Sequence, residues 1–299
     1  MITIGNQKTI KLLDRIVEKG KIANAYLFLG PENVGKFTTA LEFARKLIFD
    51  LSTDSTSSPQ VNSDLIIIAP EIEEKKGVTK KLDIKIEAIR ELQHKLSLTS
   101  TGGKYKAVII DDAQKLNKTA QNALLKTLEE PNEKVVLILV AQNEKKILPT
   151  VASRCQKIKF SLVDDGEIAK IIPSEASDRD EIIFWSVGRP GIAKLLISDS
   201  VEMEFRKKSL HNLRGLFAEN SGNKFSLAES ASKDMPTFLR EMNLWLIVLR
   251  QAVLGQDENL KVSPAKALRL SEEIANCIET LKDTNSNARL ILENLFLKF

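Results

Sequence analysis

The segment from Leu27 to Leu47, LFLGPENVGKFTTALEFARKL, constrains the fold more than any other part of the chain. An apolar strand pattern at 25–29 leads into a loop with Gly30 and Gly35, and Lys36 follows directly. Apolar residues then recur at helical spacing. This order is typical of a phosphate-binding loop, in which backbone N–H groups cradle phosphate oxygens and the lysine reaches the outer phosphates. An ordinary glycine turn would not need all these parts, so we predict a nucleotide site here.

One part of a phosphate-binding loop is missing from this segment. The residue after the lysine is normally Ser or Thr, because its hydroxyl binds the magnesium ion that accompanies the nucleotide. Phe37 stands in that place. Thr38 follows, but a shift of one residue turns a side chain by about 100° around a helix. We therefore expect weak binding of ATP or ADP, with Thr38 near the phosphates, and neither magnesium binding nor hydrolysis.

Strand and helix patterns alternate along the first 163 residues. Strand patterns occur at 25–29, 64–69, 107–110 and 135–141, and helical patterns at 5–20, 40–47, 86–96 and 116–128. The Ser/Thr-rich stretch 52–63 predicts an exposed loop, and the stretch from Glu71 to Lys81 predicts a charged loop. Strands that alternate with helices form parallel sheets with helices on both faces. This part of the chain is therefore predicted to have α/β architecture.

Two acids, Asp111 and Asp112, follow the strand pattern at 107–110, where α/β sheets place their ligands. In P-loop ATPases the first acid supports magnesium and the second orients the attacking water. The second acid is usually Glu, and Asp112 is one methylene shorter; a displacement of ~1 Å can cost on the order of 10²-fold in rate. The alternative is a pair of solvated acids at a strand end. The glycine-lysine loop upstream favours the nucleotide site.

Only helical patterns follow residue 163. They occur at 178–187, from 192 onwards, and at 239–253, 267–281 and 291–296, with Gly188-Arg189-Pro190-Gly191 between the first two. Wide apolar stripes of this kind are typical of packing inside a helical domain. Because 299 residues exceed the comfortable size of a single core, we expect two or three domains.

The composition excludes several classes of protein. The hydrophobic share of 43% and the charged share of 28% are those of a soluble globular protein, and the net charge is only +4. Two cysteines, Cys155 and Cys277, cannot form a disulfide framework or a cysteine-rich zinc site. The N-terminus lacks a signal-peptide pattern, and the apolar runs are too short to span a bilayer. We expect a cytoplasmic protein without membrane contact.

Several stretches together resemble one known family, the delta-prime subunits of bacterial DNA polymerase III clamp loaders, which belong to the AAA+ superfamily. The resemblance is carried by NAYLFLGPENVGK (24–36), IKIEAIRELQHKLSLT (84–99), YKAVIIDDAQKLNKTAQNALLKTLEEP (105–131), ILPTVASRCQ (147–156), GRPGIA (188–193) and NSNARLILENLFLKF (285–299). The resemblance implies an AAA+ (RecA-like) domain at 1–163, a small helical lid domain at 164–203 and an all-α collar domain at 204–299.

The resemblance also implies a role. In that family the subunit is one of five AAA+ protomers in an open ring that opens the sliding clamp and places it on primed DNA. The serine-arginine-cysteine motif supplies an arginine finger to the ATP site of a neighbouring motor subunit, and Arg154 matches that finger. Taken alone, the tripeptide would indicate only a surface salt-bridge residue. Implied partners are the motor (gamma/tau) and delta subunits, with the clamp and primed DNA reached through the complex.

Three departures from the family's active members point in one direction. Phe37 replaces the magnesium-binding hydroxyl, Asp112 replaces the catalytic glutamate, and Gly191 stands where a second sensor arginine is expected, with Arg189 two positions earlier. We therefore expect a protomer that does not hydrolyse ATP. The four-cysteine zinc module of many relatives is also missing, so no zinc is expected.

Three functions remain open on the sequence. The first is a stator subunit of the clamp loader, which donates Arg154 and a collar contact. The second is a catalytically competent clamp-loader-like AAA+ ATPase that uses Thr38 and Asp112 in shifted geometry. The third, a small-molecule kinase on the same loop, fits worst because the helical C-terminal half offers no substrate lid or second acid cluster.

Overall fold

The computed structural model describes residues 3–49, 64–75, 78–97, 105–130, 134–218, 221–255, 260, 262–283 and 287–299. The predicted loop at 52–63 lies outside these residues. The chain divides into two compact units, Met1–Lys194 and Leu195–Phe299. The three-domain division at residues 163 and 203 stays a prediction.

The N-terminal unit is built from strands and helices in alternation. In chain order it contains α1 (Gln7–Glu18), β1 (Ala25–Leu29), α2 (Lys36–Ile48), β2 (Leu65–Ile68), β3 (Ile72–Lys75), β4 (Val78–Lys81), α3 (Ile86–Ser97), β5 (Lys106–Ile110), α4 (Lys118–Glu129), β6 (Val135–Ala141), α5 (Pro149–Ala152), β7 (Gln156–Lys159), α6 (Asp165–Ala169) and α7 (Arg179–Ser186). Two 3₁₀ turns, Ala113–Lys115 and Glu144–Lys146, follow β5 and β6.

Five of these strands form one parallel sheet in the order β2-β5-β6-β1-β7. Every residue of β1, β5 and β6 is buried, because helices cover both faces. Alternate residues of a strand point to opposite faces. Thus Leu27 packs in the cluster that includes α3 and α4, whereas Tyr26 and Phe28 pack in the cluster that includes α1 and α2.

Aromatic contacts fix α2 on the sheet. The ring of Phe43 packs edge-on against Tyr26 with a centroid distance of 5.1 Å, and it packs against Phe28 at 6.5 Å. Such pairs stabilise by about 0.5–1.5 kcal/mol beyond their buried area. Since α2 begins directly after the glycine loop, these contacts also fix the position of the loop.

In this unit one sequence prediction needs correction, and one strand was missed. The charged loop predicted from Glu71 to Lys81 is wrong: β3 and β4 form an antiparallel hairpin there, with Ile72 opposite Lys81. Its charged residues give no apolar alternation, and the pairing comes from backbone hydrogen bonds. Strand β7 was not predicted, because Ile158 is its only buried residue and one buried position shows no period.

The C-terminal unit is helical. Helix α8 (Pro190–Ser198) contains the boundary, and α9 (Ser200–Ala218), α10 (Ser221–Lys233), α11 (Met235–Val253), α12 (Pro264–Asp283) and α13 (Ala288–Phe296) follow. Its core contains Trp245, whose ring lies 5.3 Å from Phe238 and 6.3 Å from Phe296. The Trp245 indole Nε1 donates to the Ser209 carbonyl at 2.9 Å, so its polar group is satisfied.

The predicted fold class, an α/β sheet domain followed by helices, is confirmed. The helical patterns at 178–187, after 192, and at 239–253, 267–281 and 291–296 correspond to α7, α8, α11, α12 and α13. Helices α9 and α10 were not predicted from the sequence. In the part of the chain that the structure describes, no helix is long and apolar enough to cross a membrane.

Candidate functional site

The glycine loop connects β1 to α2 at the carboxyl-terminal edge of the sheet. Gly30 has φ +154°, and a Cβ there would lie 2.3 Å from the carbonyl oxygen of Phe160. No side chain can be accommodated at this distance, so the first glycine of the motif is required by the fold itself. The fold therefore requires a glycine at this position of the loop, independently of any ligand.

A cavity of about 320 Å³ opens above the loop, inside the N-terminal unit. The predicted site residues that line it are Gly35, Lys36, Thr38, Asp111 and Asp112, together with Phe37 and Gly191. The structure thus brings the glycine loop and the acids after β5 to one place, as expected for the carboxyl edge of a parallel sheet. Gly30 contributes its carbonyl to a hydrogen bond beneath the cavity.

Lys36 points into the loop. Its ammonium Nζ donates to the carbonyl of Gly30 at 2.7 Å and to that of Pro31 at 2.5 Å. Only 6% of the residue is exposed. Burial lowers the pKa of Lys36, while the charges of Glu32, Asp111 and Asp112 oppose that shift. The ammonium is therefore already hydrogen-bonded to two carbonyls of the loop.

The residues after Lys36 do not supply a magnesium-binding hydroxyl in the usual place. Phe37 packs against the apolar cluster of α2 and β1. The Thr39 hydroxyl donates to the Gly35 carbonyl at 2.9 Å and lies 3.1 Å from the Thr3 hydroxyl oxygen. Thr38 lines the cavity, as does Thr3, whose hydroxyl lies against Thr39 and donates to Glu42.

The two acids after β5 have different surroundings. Burial raises the pKa of Asp111, and the charge of Asp112 raises it further. Asp112 adopts a left-handed backbone conformation, with φ +46°. Its Oδ1 accepts a hydrogen bond from Gln114 Nε2 at 2.8 Å, and its Oδ2 accepts one from the ammonium of Lys81. Both carboxylate oxygens of Asp112 are thus engaged by side chains of the chain itself.

Lys81 was missed by the sequence reasoning. It ends β4, in the segment predicted to be a loop, and it lines the same cavity. The hydrogen bond to Asp112 raises the pKa of Lys81. No local sequence signal could have found this pair, because its partners lie 31 residues apart and meet only through the hairpin.

These residues do not fit a magnesium ion. Magnesium requires near-octahedral oxygen ligands and usually keeps one or two protein carboxylates. Here Phe37 replaces the hydroxyl ligand, and the ammonium of Lys81 is paired with Asp112. The site therefore lacks one of the usual oxygen ligands and already holds a positive charge beside Asp112.

Gly191 closes one side of the cavity. Its N–H donates to the Asn33 carbonyl at 2.9 Å, and a Cβ at this position would lie 3.0 Å from the Asn33 Cβ. A side chain at 191 would therefore press against the glycine loop. Arg189, two positions earlier, is not one of the described residues that line the cavity.

Arg154 lies apart from this cavity. It precedes β7, which runs parallel to β1 with Gln156 opposite Tyr26, so Arg154 sits at the amino-terminal edge of the sheet. The loop lies at the other edge, about 13 Å away for a strand of four residues. The Arg154 Nη2 lies 2.6 Å from the carboxylate of Glu129, and the Arg154 Nη1 donates to the Thr150 carbonyl at 2.9 Å.

Fold and cavity together define a P-loop-type α/β domain in which Phe37 stands in the place of the usual magnesium-binding hydroxyl residue. A family model described as DNA polymerase III, delta subunit matches residues 5–164, more than half of the chain. The chain belongs to this family. The resemblance inferred from the motifs is thereby confirmed, and the chain is a clamp-loader-like AAA+ protein.

Individual relatives agree with this assignment. DNA polymerase III subunit delta' of Pseudomonas aeruginosa is 26% identical over 93% of this chain and 92% of that protein. In Bacillus subtilis, subunit delta' is 30% identical over 51% of this chain, and subunit tau is 29% identical over 60% of it. The matches span 46% and 32% of those two proteins. A solved gamma subunit-related protein of Thermotoga maritima aligns at a TM-score of 0.49 with 18% identity, covering 97% of each chain.

Proposed function

We propose that the chain is a delta-prime-like stator subunit of a DNA polymerase III clamp loader. In this role it helps to load the sliding clamp onto primed DNA during replication and donates Arg154 to the ATP site of a neighbouring motor subunit. Its partners are the motor (gamma/tau) and delta subunits, with the clamp and DNA reached through the complex. The protein acts in the cytoplasm.

The observation that carries this proposal is the position of Arg154. The side chain is partly exposed, and it lies at the sheet edge opposite the chain's own cavity. It is therefore badly placed to act on a nucleotide in that cavity and accessible to a site on another subunit. A guanidinium is planar and permanently charged, and fingers of this kind contribute roughly 10³ to 10⁵ in rate in other NTPases.

The chain's own cavity has a secondary role in this proposal. It holds ATP or ADP weakly through Lys36 and the glycine loop, without magnesium and without hydrolysis. The ion pair between Lys81 and Asp112 supports the absence of hydrolysis, because an ammonium held against this carboxylate makes it a weaker base towards an attacking water. The subunit carries no zinc.

A second candidate function is ATP hydrolysis by this chain. The observation in its favour is that Lys36, Thr38 and Asp112 do line one cavity. The hydrogen bonds to Asp112 and the place of Phe37 count against it. ATPase activity of the isolated chain that disappears in a Lys36→Met variant would establish this second function.

The test of the stator role is the ATPase rate of a loader reconstituted with its cognate motor and delta subunits, clamp and primed DNA. Arg154→Ala is compared with Lys157→Ala, which removes a neighbouring exposed ion pair to Glu144. We expect Arg154→Ala to lower the rate by on the order of 10²-fold or more while the complex still assembles. An equal rate in both variants would overturn the finger assignment.

A further inference from the structure

The ammonium of Lys81 occupies the acidic side of the cavity. Backbone contacts hold it there: Lys81 pairs with Ile72 across the hairpin, and the next residue, Leu82, donates its N–H to the Glu71 carbonyl at 2.8 Å. Ile84 N–H then donates to the Lys115 carbonyl at 2.8 Å, which ties the strand exit to the turn that follows Asp112. Backbone contacts at Lys81 and at the residues that follow it therefore fix its position.

The bond between Lys81 and Asp112 leaves part of the ammonium available. An ammonium has three N–H donors, and Asp112 Oδ2 takes one of them. About 48% of the Lys81 side chain is exposed, against 13% for Asp112. The two remaining donors can reach an anion in the cavity without breaking the pair.

Charge around the cavity is balanced by lysines. Among its described lining residues, the charged groups are three ammonium groups and three carboxylates: Lys36, Lys81, Lys194, Glu32, Asp111 and Asp112. Without Lys81 the acids would outnumber the bases. A divalent ion beside the two aspartates has the same neutralising effect in an ordinary P-loop site. Lys81 thus supplies the positive charge for which the site would otherwise need a metal.

We propose that Lys81 is a built-in cation in place of magnesium, so that the cavity binds the phosphates of a nucleoside diphosphate or triphosphate without a divalent metal. The phosphates are met by the ammonium groups of Lys36 and Lys81 and by backbone N–H groups at the start of α2. This inference deepens the nucleotide-binding part of the proposed function and rests on it. It does not depend on the role of Arg154.

The test is binding of a fluorescent ADP analogue to the full chain, measured once in excess EDTA and once with magnesium. Wild type is expected to bind with the same affinity in both buffers. Lys81→Met removes the charge and keeps the aliphatic chain, and it should weaken binding in EDTA by about tenfold, the equivalent of one charge-assisted hydrogen bond. Lys81→Arg should retain metal-independent binding, because it keeps a positive charge.

The control is Lys85→Met, which removes an exposed lysine four residues further on that does not line the cavity. It should bind like wild type. Binding by wild type only with magnesium, or unchanged binding by Lys81→Met in EDTA, would overturn the inference while nucleotide binding stands. No binding by wild type in either buffer would overturn both the inference and the nucleotide-binding part of the proposed function.

Discussion

The charged residues at the carboxyl edge of the central sheet, where its strands end, make different contacts from those at the amino edge, where its strands begin. At the carboxyl edge, Lys36 is buried against loop carbonyls, and Asp112 is held by Gln114 and Lys81. At the amino edge, Arg154 pairs with Glu129, and both side chains are more than one third exposed. Exposed ion pairs contribute only about 0–1 kcal/mol, so this pair can be exchanged for another partner at little cost. In the cavity, Lys36 has no such freedom, because it is only 6% exposed and donates to two loop carbonyls.

The difference suggests how a degenerate site can persist within a working subunit. The glycine loop anchors α2 to the sheet through the close approach of Gly30 to the Phe160 carbonyl. Loss of catalytic groups from the cavity leaves this structural contact intact. Under the proposed function, the charge that acts in catalysis, Arg154, lies at the opposite edge, where a second subunit can reach it.

The largest expected effect is on stability, and it tests whether the loop is a structural element. Gly30→Ala places a Cβ 2.3 Å from a backbone oxygen, and we expect it to cost about 3 kcal/mol or more in the free energy of unfolding. Gly20→Ala is the matched control, because Gly20 has φ +63° but nothing within 4 Å of the added atom. The control should cost about 1 kcal/mol.

Urea unfolding of the two variants measures this difference. Equal losses would show that the positive φ alone sets the cost and that the contact with Phe160 does not hold the loop. The structural reading of the degenerate site would then be wrong.

The sequence predicted the residues of the glycine loop and the first acid better than the long-range contacts around them. The glycine loop, Lys36 and Asp111 carry local patterns, since a strand end and a helix start lie within a few residues of each. Lys81 could not be placed in the same way, because its approach to Asp112 depends on the pairing of β3 with β4. Long-range pairs of this kind leave no period in the sequence.

Arg154 was predicted as a finger through family resemblance and not through local chemistry, and its role stays a prediction. Arg154 lies in a short segment with no periodic apolar pattern. Glu129 is the last residue of α4, and the apolar pattern of that helix does not predict the contacts of its last residue. Strand β7, which defines the amino edge, is too short to show alternation. Here the structure showed that Arg154 lies at the opposite edge of the sheet from the cavity.

A second prediction concerns the contact that orients Arg154. Glu129→Gln removes the charge of the partner at the same size. We expect the ATPase rate of the reconstituted loader to fall by about twofold to fivefold, because an exposed ion pair contributes at most about 1 kcal/mol to holding the guanidinium in place. Glu130→Gln, on the adjacent exposed residue, should leave the rate unchanged.

Glu129 is a positioning residue in this account, so its effect should appear in the rate at saturating ATP and not in loader assembly. Native mass spectrometry of the complex provides the second readout. An equal fall in both variants would mean that the end of α4 matters for assembly and not for the orientation of Arg154.

The smallest expected effect concerns the pH dependence of stability at the cavity. Burial raises the pKa of Asp111 in the folded protein, so the folded state binds this proton more tightly than the unfolded chain does. The carboxylate therefore destabilises the fold once the pH rises above its folded pKa. Asp111→Asn should raise Tm near neutral pH, and the gain should shrink as the pH falls towards the ordinary Asp value of about 4.

Thermal unfolding followed across this pH range provides the measurement, with Asp83→Asn as a control at an exposed aspartate. The control should show no pH-dependent gain. A lower Tm for Asp111→Asn at neutral pH would mean that the carboxylate makes a net favourable contact in the cavity, and the contrast between the two edges would weaken.

The central claim is that the chain acts through its amino edge and not through its own cavity. The most direct test compares Arg154→Ala with Lys36→Met in the same reconstituted loader, and measures the rate of clamp loading onto primed DNA. We predict a fall on the order of 10²-fold or more for Arg154→Ala and a rate within about twofold of wild type for Lys36→Met. A large fall for Lys36→Met with an unchanged rate for Arg154→Ala would contradict the account.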